Sequence, residues 1–246
     1  MPAVLILGAS SAIARATAKK FAAHGNDLIL AGRQREELEA DAADLTLRYK
    51  IAARILVFDA LDFESHEPVL SRLLRESGDS LDGVVICIGY LGDQVKAQGD
   101  AAEARRILDT NLTGCISALE ILAGYFEKRR RGFICALSSV AGDRGRQSNY
   151  LYGAAKAGLS AYLQGLRNRL YHSHVHVLTV KPGFVDTRMT FGHPKLFLVA
   201  SPESAARSIY RAIVRRKNVV YVPWFWRWVM LLVRAAPERI FKRLKL

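Results

Sequence analysis

Tyr152 and Lys156 stand four residues apart in the run Tyr-Gly-Ala-Ala-Lys, and Ser139 lies thirteen residues before the tyrosine. On a helix, positions i and i+4 project from one face, so a phenol and an ammonium would share it. A phenol titrates near ~10 in isolation, and a neighbouring cation favours its anion and lowers that value. Such a pair can exchange a proton with a carbonyl or an alcohol near neutral pH. Ser139 follows the apolar run GFICALS (132–138), and at the end of a strand its hydroxyl could hold a substrate oxygen. Small residues at 153–155 leave room for a planar ring to approach. The four-residue spacing alone is common; the serine at a strand end makes the set far more selective.

A second cluster sits at the start of the chain. Gly8-Ala-Ser-Ser-Ala-Ile-Ala14 lies between an apolar run and a helix-like segment. A turn there directs backbone N–H groups and a helix N-terminus at a pyrophosphate, with Gly8, Ser10, Ser11 and Ile13 as the contacting positions. By itself this is a weak signal that a plain tight turn would also give. The second apolar run ends Ala31-Gly32-Arg33, where an NAD site would place an acid against the ribose 2′-hydroxyl. Arg33 instead offers a planar fork for a 2′-phosphate, so NADP(H) is the expected cofactor; the plain alternative is a solvated surface arginine. Asp59, followed by Ala60, could accept from an adenine amino group or be an ordinary acid at a strand end.

The elements that must carry these residues are legible as alternation. Apolar runs at 3–8, 27–32, 53–59, 83–89, 132–138, 175–183 and 219–222 read as strands. Helical patterns lie between them at 11–25, 34–49, 64–77, 101–129, 150–171 and about 201–217, the last opened by Ser201-Pro202-Glu203 as N-cap and first turn. Fully apolar strands separated by helices imply an α/β fold, a doubly wound (Rossmann-like), mostly parallel sheet with helices on both faces and right-handed crossovers. A chain of 246 residues suits one such domain, here 1–222, with 223–246 as a basic amphipathic extension.

Half the residues are hydrophobic and a quarter charged, which excludes a disordered chain. Cys87, Cys115 and Cys135 sit singly in apolar surroundings, as buried small hydrophobes rather than disulfides or thiol nucleophiles. The apolar start lacks a basic leader and runs into a glycine turn, so no secretory signal is expected, and no run is long enough for a spanning helix. A cytoplasmic location is the expectation, with peripheral membrane association as a further one that rests on the tail. His172, His174 and His176 alternate, but without Asp, Glu or Cys support no metal is expected, and two of them should lie in the loop entering the strand. Lys128-Arg129-Arg130-Arg131 reads as a solvated helix C-terminus, and Tyr150, lacking a lysine four residues on, as packing.

Net charge is +13, and from Arg207 onward eleven Lys or Arg face the single acid Glu238, a local +10. The tail also holds all three tryptophans, Trp224, Trp226 and Trp228, in YVPWFWRWVMLLVR (221–234). Interleaved aromatic and aliphatic residues favour an anionic lipid surface over nucleic acid. As a helix from Trp224, one side would carry Trp224, Trp228, Leu231 and Ala235, flanked by Trp226, Met230 and Val233, with Arg227 and Arg234, seven apart, sharing another side. After Pro237, a second apolar face would carry Ile240, Phe241 and Leu244 among Arg239, Lys242, Arg243 and Lys245. Either this segment covers a core or subunit interface, or it seats among lipid headgroups.

In order and spacing, the glycine turn, Asp59-Ala60, Asn111-Leu-Thr-Gly114, Ser138-Ser139-Val-Ala-Gly142, Tyr152…Lys156 and Pro182-Gly-Phe-Val-Asp-Thr187 resemble the short-chain dehydrogenases/reductases over 3–190. The resemblance implies a catalytic set of Asn111, Ser139, Tyr152 and Lys156. Tyr152 is then the proton donor and Ser139 the substrate-orienting hydroxyl, chosen over Ser138 by its spacing to Tyr152. Lys156 holds the nicotinamide ribose and depresses the phenol, while Asn111 kinks its helix and anchors a relay water. Gly89, Pro182 and Gly183, with Val185 and Thr187 at the carboxamide end, complete the cofactor contacts. Ala12 and Ala14 replace two family glycines, Leu7 stands for a threonine, and Cys87-Ile88-Gly89 replaces Asn-Ala-Gly.

Phe-Asp-Ala-Leu-Asp (58–62), Leu91-Gly92-Asp93, Pro-Gly-x-Val-x-Thr-Arg-Met (182–189) and the tail look like the subgroup that reduces decaprenylphosphoryl-2-keto-ribose. That implies a lipid-linked sugar substrate, a step towards a polyprenylphosphoryl arabinose donor, and a flavin-dependent oxidase partner. Homo-oligomers through the two long helices are expected as in the family. The alternatives are another lipophilic ketone, such as a 3-oxoacyl or sterol-like substrate, and a nucleotide sensor without turnover.

Overall fold

In the computed structural model, which describes residues 2–189 and 198–244, seven strands form one sheet. They are β1 (Ala3–Leu7), β2 (Asp27–Gly32), β3 (Ala53–Val57), β4 (Leu81–Ile86), β5 (Phe133–Leu137), β6 (His176–Pro182) and β7 (Val219–Val222), in the order β3-β2-β1-β4-β5-β6-β7. Every neighbouring pair is parallel. The order reverses between β1 and β4, which opens a crevice beyond the carboxyl ends of the strands.

Alternation along each strand feeds two cores. Val4, Ile6, Leu28, Leu30, Leu178 and Val180 face α1 (Ala12–Ala22), α2 (Arg35–Tyr49) and α8 (Pro202–Val214). Leu5, Leu7, Val84, Ile86, Ile134 and Ala136 face α3 (Phe63–Ser77), α6 (Gly114–Arg129) and α7 (Tyr150–Leu170). Covering both faces is why the strands read as unbroken apolar runs. Ser201 caps α8 through its Oγ, which accepts from the Ser204 N–H at 3.2 Å. Among the described residues no helix is long and apolar enough to cross a membrane.

The single helix expected over 101–129 is interrupted. After the short α4 (Gln94–Ala97), α5 (Ala101–Leu108) passes through a π-helical turn, Asp109–Thr113, into α6. The wider turn frees the Ile107 carbonyl, which accepts instead from the Asn111 side-chain amide at 2.8 Å. Gly114 lets the chain pass the Ala60 carbonyl, which a Cβ would meet at 2.2 Å. β4 also ends at Ile86 rather than Gly89, so Cys87–Asp93 becomes a loop over the crevice. Tyr150, expected as packing, is exposed at the start of α7.

The tail forms α9 (Trp226–Ala235) and α10 (Glu238–Phe241); Lys245 lies outside the described residues. The helix starts at Trp226, not Trp224, and the face expected as a flank is the buried one. Trp226 and Met230 are 3% and 2% exposed and pack with Val140, Phe184, Val229 and Val233. The reason is Gly183: a Cβ there would fall 2.0 Å from the Trp226 Nε1, so the bare backbone accommodates the indole. Trp224 and Trp228 remain 72% and 56% exposed, as do Leu231 and Leu232.

Arg144, in the loop after β5, fastens this segment. Its guanidinium donates to the carbonyls of Val233 (2.8 Å), Arg234 (3.1 Å) and Ala236 (2.6 Å), and to the Glu238 carboxylate at 2.9 Å. It also stacks 3.8 Å from the Phe241 ring centroid. These are the carbonyls a helix end leaves without partners, so one side chain caps α9 and orients α10. Arg144→Ala should release the tail at a cost of about 2 kcal/mol, since the exposed Glu238 pair adds little. Limited trypsinolysis with mass readout should then show faster cleavage at Arg234 and Arg239; unchanged cleavage would refute the clamp.

Candidate active site

The sequence-selected residues converge on the carboxyl edge of the sheet. Gly8 follows β1, Arg33 β2, Asp59 and Ala60 β3, Gly89 β4, Ser139 β5, and Gly183, Val185 and Thr187 β6. Asn111 comes from the π turn, and Tyr152 and Lys156 from α7.

Two adjacent serines divide the work at the end of β5. The Ser138 Oγ donates to the Lys156 carbonyl at 2.9 Å and pairs with the Ser160 Oγ at 2.7 Å, so Ser138 fixes β5 to α7. Ser139 stays extended, its Oγ accepting from the Ala141 N–H at 3.0 Å. Of the two serines, it is Ser139 that lies near enough to act on the Tyr152 phenol. A Cβ on Gly153 would come 2.9 Å from the Ala141 carbonyl, and one on Gly142 2.7 Å from the Ala157 nitrogen. Small residues here let α7 lie directly on the turn after β5, a packing need beside the ring-access role expected from sequence.

Tyr152 and Lys156 are both buried. Burial pushes the phenol up to about 12, against the opposing pull of the Ser139 hydrogen bond and the Arg146 charge. The net direction is upward because burial sets it, whatever depression Lys156 was expected to bring. Burial costs the phenolate more than nearby charges return, and burial also lowers the value of Lys156 itself. The Lys156 ammonium lies 5.8 Å from the Tyr152 ring centroid and donates to the carbonyls of Leu137 (3.1 Å) and Ile88 (3.2 Å).

Asn111 is buried and fully bonded. Its amide nitrogen donates to the Tyr90 carbonyl at 2.6 Å and the Ile107 carbonyl at 2.8 Å, and its Oδ1 accepts from the Tyr90 N–H at 3.1 Å. It thereby holds the loop whose Ile88 carbonyl receives Lys156. A Cβ on Gly89 would sit 3.5 Å from the Asn111 Oδ1 and 3.8 Å from the Lys156 Nζ, so that glycine keeps the approach to both open.

At the other end of the crevice Gly8 takes a φ of +79°, and a Cβ on it would meet the Cys87 carbonyl carbon at 2.9 Å; glycine is required on both counts. The Ser11 Oγ caps α1 at the Ala14 N–H, 3.2 Å away. That leaves the Ala12 and Ile13 N–H groups, beyond reach of any helix carbonyl, beside half-buried Ser10 and Ser11, with no acid in the first turn. Ala14 is fully buried in the core, which is where its extra methyl goes. Arg33 is exposed beyond β2. The Asp59 carboxylate accepts from the Leu61 N–H at 3.0 Å, while the ring of buried His66 donates to the Asp59 carbonyl at 2.9 Å. Pro182 closes β6, the Gly183 N–H donates to the Val222 carbonyl at 2.8 Å, and buried Val185 bridges to Ala200.

Burial raises the thiols of Cys115 and Cys135 and pushes Cys87 up to about 12, which removes them as nucleophiles. His172 and His174 occupy the turn after α7, while the His176 Nε2 donates to the Lys217 carbonyl at 2.9 Å. Arg146 and Trp226, both missed from sequence, border the site by contacts between distant segments that no local pattern signals.

A family model described as short chain dehydrogenase matches residues 2–194. An uncharacterised oxidoreductase of Mycobacterium tuberculosis is 38% identical over 241 residues, covering 98% of this chain and 96% of that protein. Another from Streptomyces coelicolor is 37% identical over 243 residues, covering 98% and 95%. Among solved structures, a short-chain dehydrogenase from Sphingobium yanoikuyae in complex with NADPH superposes with a TM-score of 0.83 at 26% identity, covering 97% of each chain. The bulky-bulky ketone specific alcohol dehydrogenase from Comamonas testosteroni shares the fold, with a TM-score of 0.82 at 23% identity over 97% of this chain and 96% of that one. With the serine, tyrosine and lysine of the expected spacing gathered at one sheet edge, the chain belongs to the short-chain dehydrogenase family of oxidoreductases.

Proposed function

We propose that this protein reduces a ketone to a secondary alcohol with NADPH, Tyr152 supplying the proton. The observation that carries the reading is the set of half-buried Ser139 with buried Tyr152 and Lys156 at the crevice. The Gly8 turn, the free N–H groups of α1 and the exposed Arg33 fork fit a dinucleotide with a 2′-phosphate, and no acid stands at the end of β2 to claim a 2′-hydroxyl. The NADPH held by the Sphingobium relative supports the same choice. NADPH supplies the hydride when bound. Ser139 orients the carbonyl oxygen, and Tyr152 passes its phenolic proton to the alkoxide as the C–H bond forms. A phenol held near 12 is protonated throughout the neutral range, which suits the reductive direction. With all four expected catalytic groups assembled, turnover is favoured over mere nucleotide sensing.

The substrate we propose is a polyprenylphosphoryl-2-keto-pentofuranose, reduced as the second step of a 2-epimerisation after a flavin-dependent oxidase. The pattern of the tail supports this, and so does its placement. Trp226 is buried at Gly183 and Phe184, so α9 is mounted on the turn that borders the site. Its outer face presents Trp224, Trp228, Leu231 and Leu232, continued by Ile240 and Leu244, among the exposed bases Arg227, Arg234, Arg239, Lys242 and Arg243. Such a face suits anionic headgroups and would let a lipid tail stay in the bilayer while its sugar enters the crevice. Another lipophilic ketone would use the same face.

Tyr152→Phe should lower NADPH-dependent ketone reduction about 10²–10⁴-fold while NADPH still binds; retained turnover would remove Tyr152 as the acid. The same variant has a stability signature. Because the folded-state value, about 12, lies above the ordinary one of ~10, this phenol's stabilisation is complete below pH ~10 and lost as the pH rises towards 12. Urea unfolding at rising pH should show Tyr152→Phe flattening that alkaline limb by about 2–3 kcal/mol. For the tail, flotation should show binding to anionic liposomes that weakens with salt and is lost in Trp224→Ser/Trp228→Ser/Leu231→Ser. Intact protein that stays unbound at low salt would end the membrane reading.

A further inference from the structure

The loop between β5 and α7 carries a second arginine with no such occupation as Arg144. The Arg146 Nε is buried and has no hydrogen-bond partner in the protein, and the same holds for the Gln94 Nε2 and the Asn149 Oδ1. All three belong to the first turn of α7 or touch it. Asn149 precedes that turn, and its N–H donates to the Arg146 carbonyl at 3.2 Å. Gln94, opening α4, accepts at its Oε1 from the Leu151 N–H at 3.0 Å, which leaves its amide nitrogen unused. Tyr152 lies in the same turn and packs with Ala97 of α4, Ile107 and Ala141. The Arg146 charge is near enough to act on the phenol, and burial disfavours that charge. No acid pairs with Arg146 among the described residues.

A guanidinium keeps its proton in proteins, so this is a partly buried permanent charge with nothing to offset it. Unpaired buried polar groups of this kind are rare in cores and common where a ligand completes them. The set is two donors, one of them cationic, and one acceptor. An oxyanion satisfies the donors, with the planar fork suited to phosphate. The acceptor calls for a hydroxyl beside that oxyanion. A sugar phosphate offers both, whereas a sterol offers no anion and a fatty acyl chain no hydroxyl.

We propose that Arg146, Gln94 and Asn149 form a substrate subsite for the phosphoryl group and an adjacent hydroxyl of a sugar phosphate, next to the carbonyl that Tyr152 protonates. What reacts there rests on the ketone-reductase reading, but occupancy of the subsite does not, so the two can fail separately. The test is equilibrium binding of ribose 5-phosphate and of ribose to the NADP⁺-saturated protein by calorimetry, NADP⁺ keeping the cofactor's phosphate positions filled. Wild type should bind ribose 5-phosphate at least about tenfold more tightly than ribose. Arg146→Gln should lose that preference, and Arg146→Lys, which keeps the charge without the fork, should fall between them. NADP⁺ affinity reports whether each variant is folded; if the glutamine variant is not, wild type against Arg146→Lys decides. Equal affinity of wild type for the two sugars, or a preference untouched by either substitution, overturns the proposal whatever ketone the enzyme reduces.

Discussion

A buried ammonium with no carboxylate beside it among the described residues is the constraint around which the site is built. Lys156 is 2% exposed and is held by the carbonyls of Leu137 and Ile88, which end or follow β5 and β4. Carbonyl dipoles offset part of the cost of burying that charge only if they are fixed. The fixing devices can be followed outward. Ser138 bolts α7 to β5 at the Lys156 carbonyl, and Asn111 grips both polar groups of Tyr90 and so sets the loop containing Ile88. Asn111 can do so because the π turn swings it inward, and that turn in turn needs Gly114 beside Ala60. Gly142 and Gly153 then let α7 settle close enough for Tyr152 to meet Ser139.

The same dependence reaches the tail. Gly183 follows β6 at the turn expected from sequence to contact the cofactor, and its missing side chain is the socket for Trp226. Arg144, from the loop that carries Arg146 towards Tyr152, caps the far end of α9. The C-terminal segment is thus anchored at both ends to elements of the active site. Asp143 adds a third tie, accepting from the Tyr221 hydroxyl at 2.7 Å and pairing with Lys181. Burying one face of α9 consumes Trp226 and Met230 and leaves the other tryptophans outward, so the segment serves the core and the surface at once.

Which parts were legible in the sequence follows from the range of the physics behind them. A parallel sheet covered on both faces follows from fully apolar strands alternating with helices, a local signal, and the Tyr152–Lys156 pairing needs only one helical turn; the order of the strands carries no such signal. Ser139 is chosen over Ser138 by its spacing to Tyr152, and the structure gives the two serines different partners, Ser138 bonding to Lys156 and Ser160 and Ser139 to Ala141. The break at Asp109–Thr113 was hidden because each side of it is a good helix, and the cause lies across the molecule at Ala60 and Tyr90. Helical periodicity ranks the faces of α9 by hydrophobicity, and it puts Trp226 on a flank because the outer face is just as apolar as the one the structure buries. Nothing near residue 226 reveals that Gly183 is waiting for an indole.

The direction of the phenol shift was beyond sequence for a related reason, and it changes how the chemistry is read. Spacing shows that an ammonium is near Tyr152 but not how much water both have lost. Desolvation moves the two groups towards neutrality, the phenol upwards and the ammonium downwards, so the buried pair resists becoming an ion pair. A tyrosine in that state is a poor base and a durable acid. In the reduction proposed above it gives up a proton only when an alkoxide, a stronger base than a phenolate, forms against it. The Ser139 hydroxyl, which favours the phenolate against the cost of burial, then acts at the moment that ion appears, which is where such a contact accelerates a reaction.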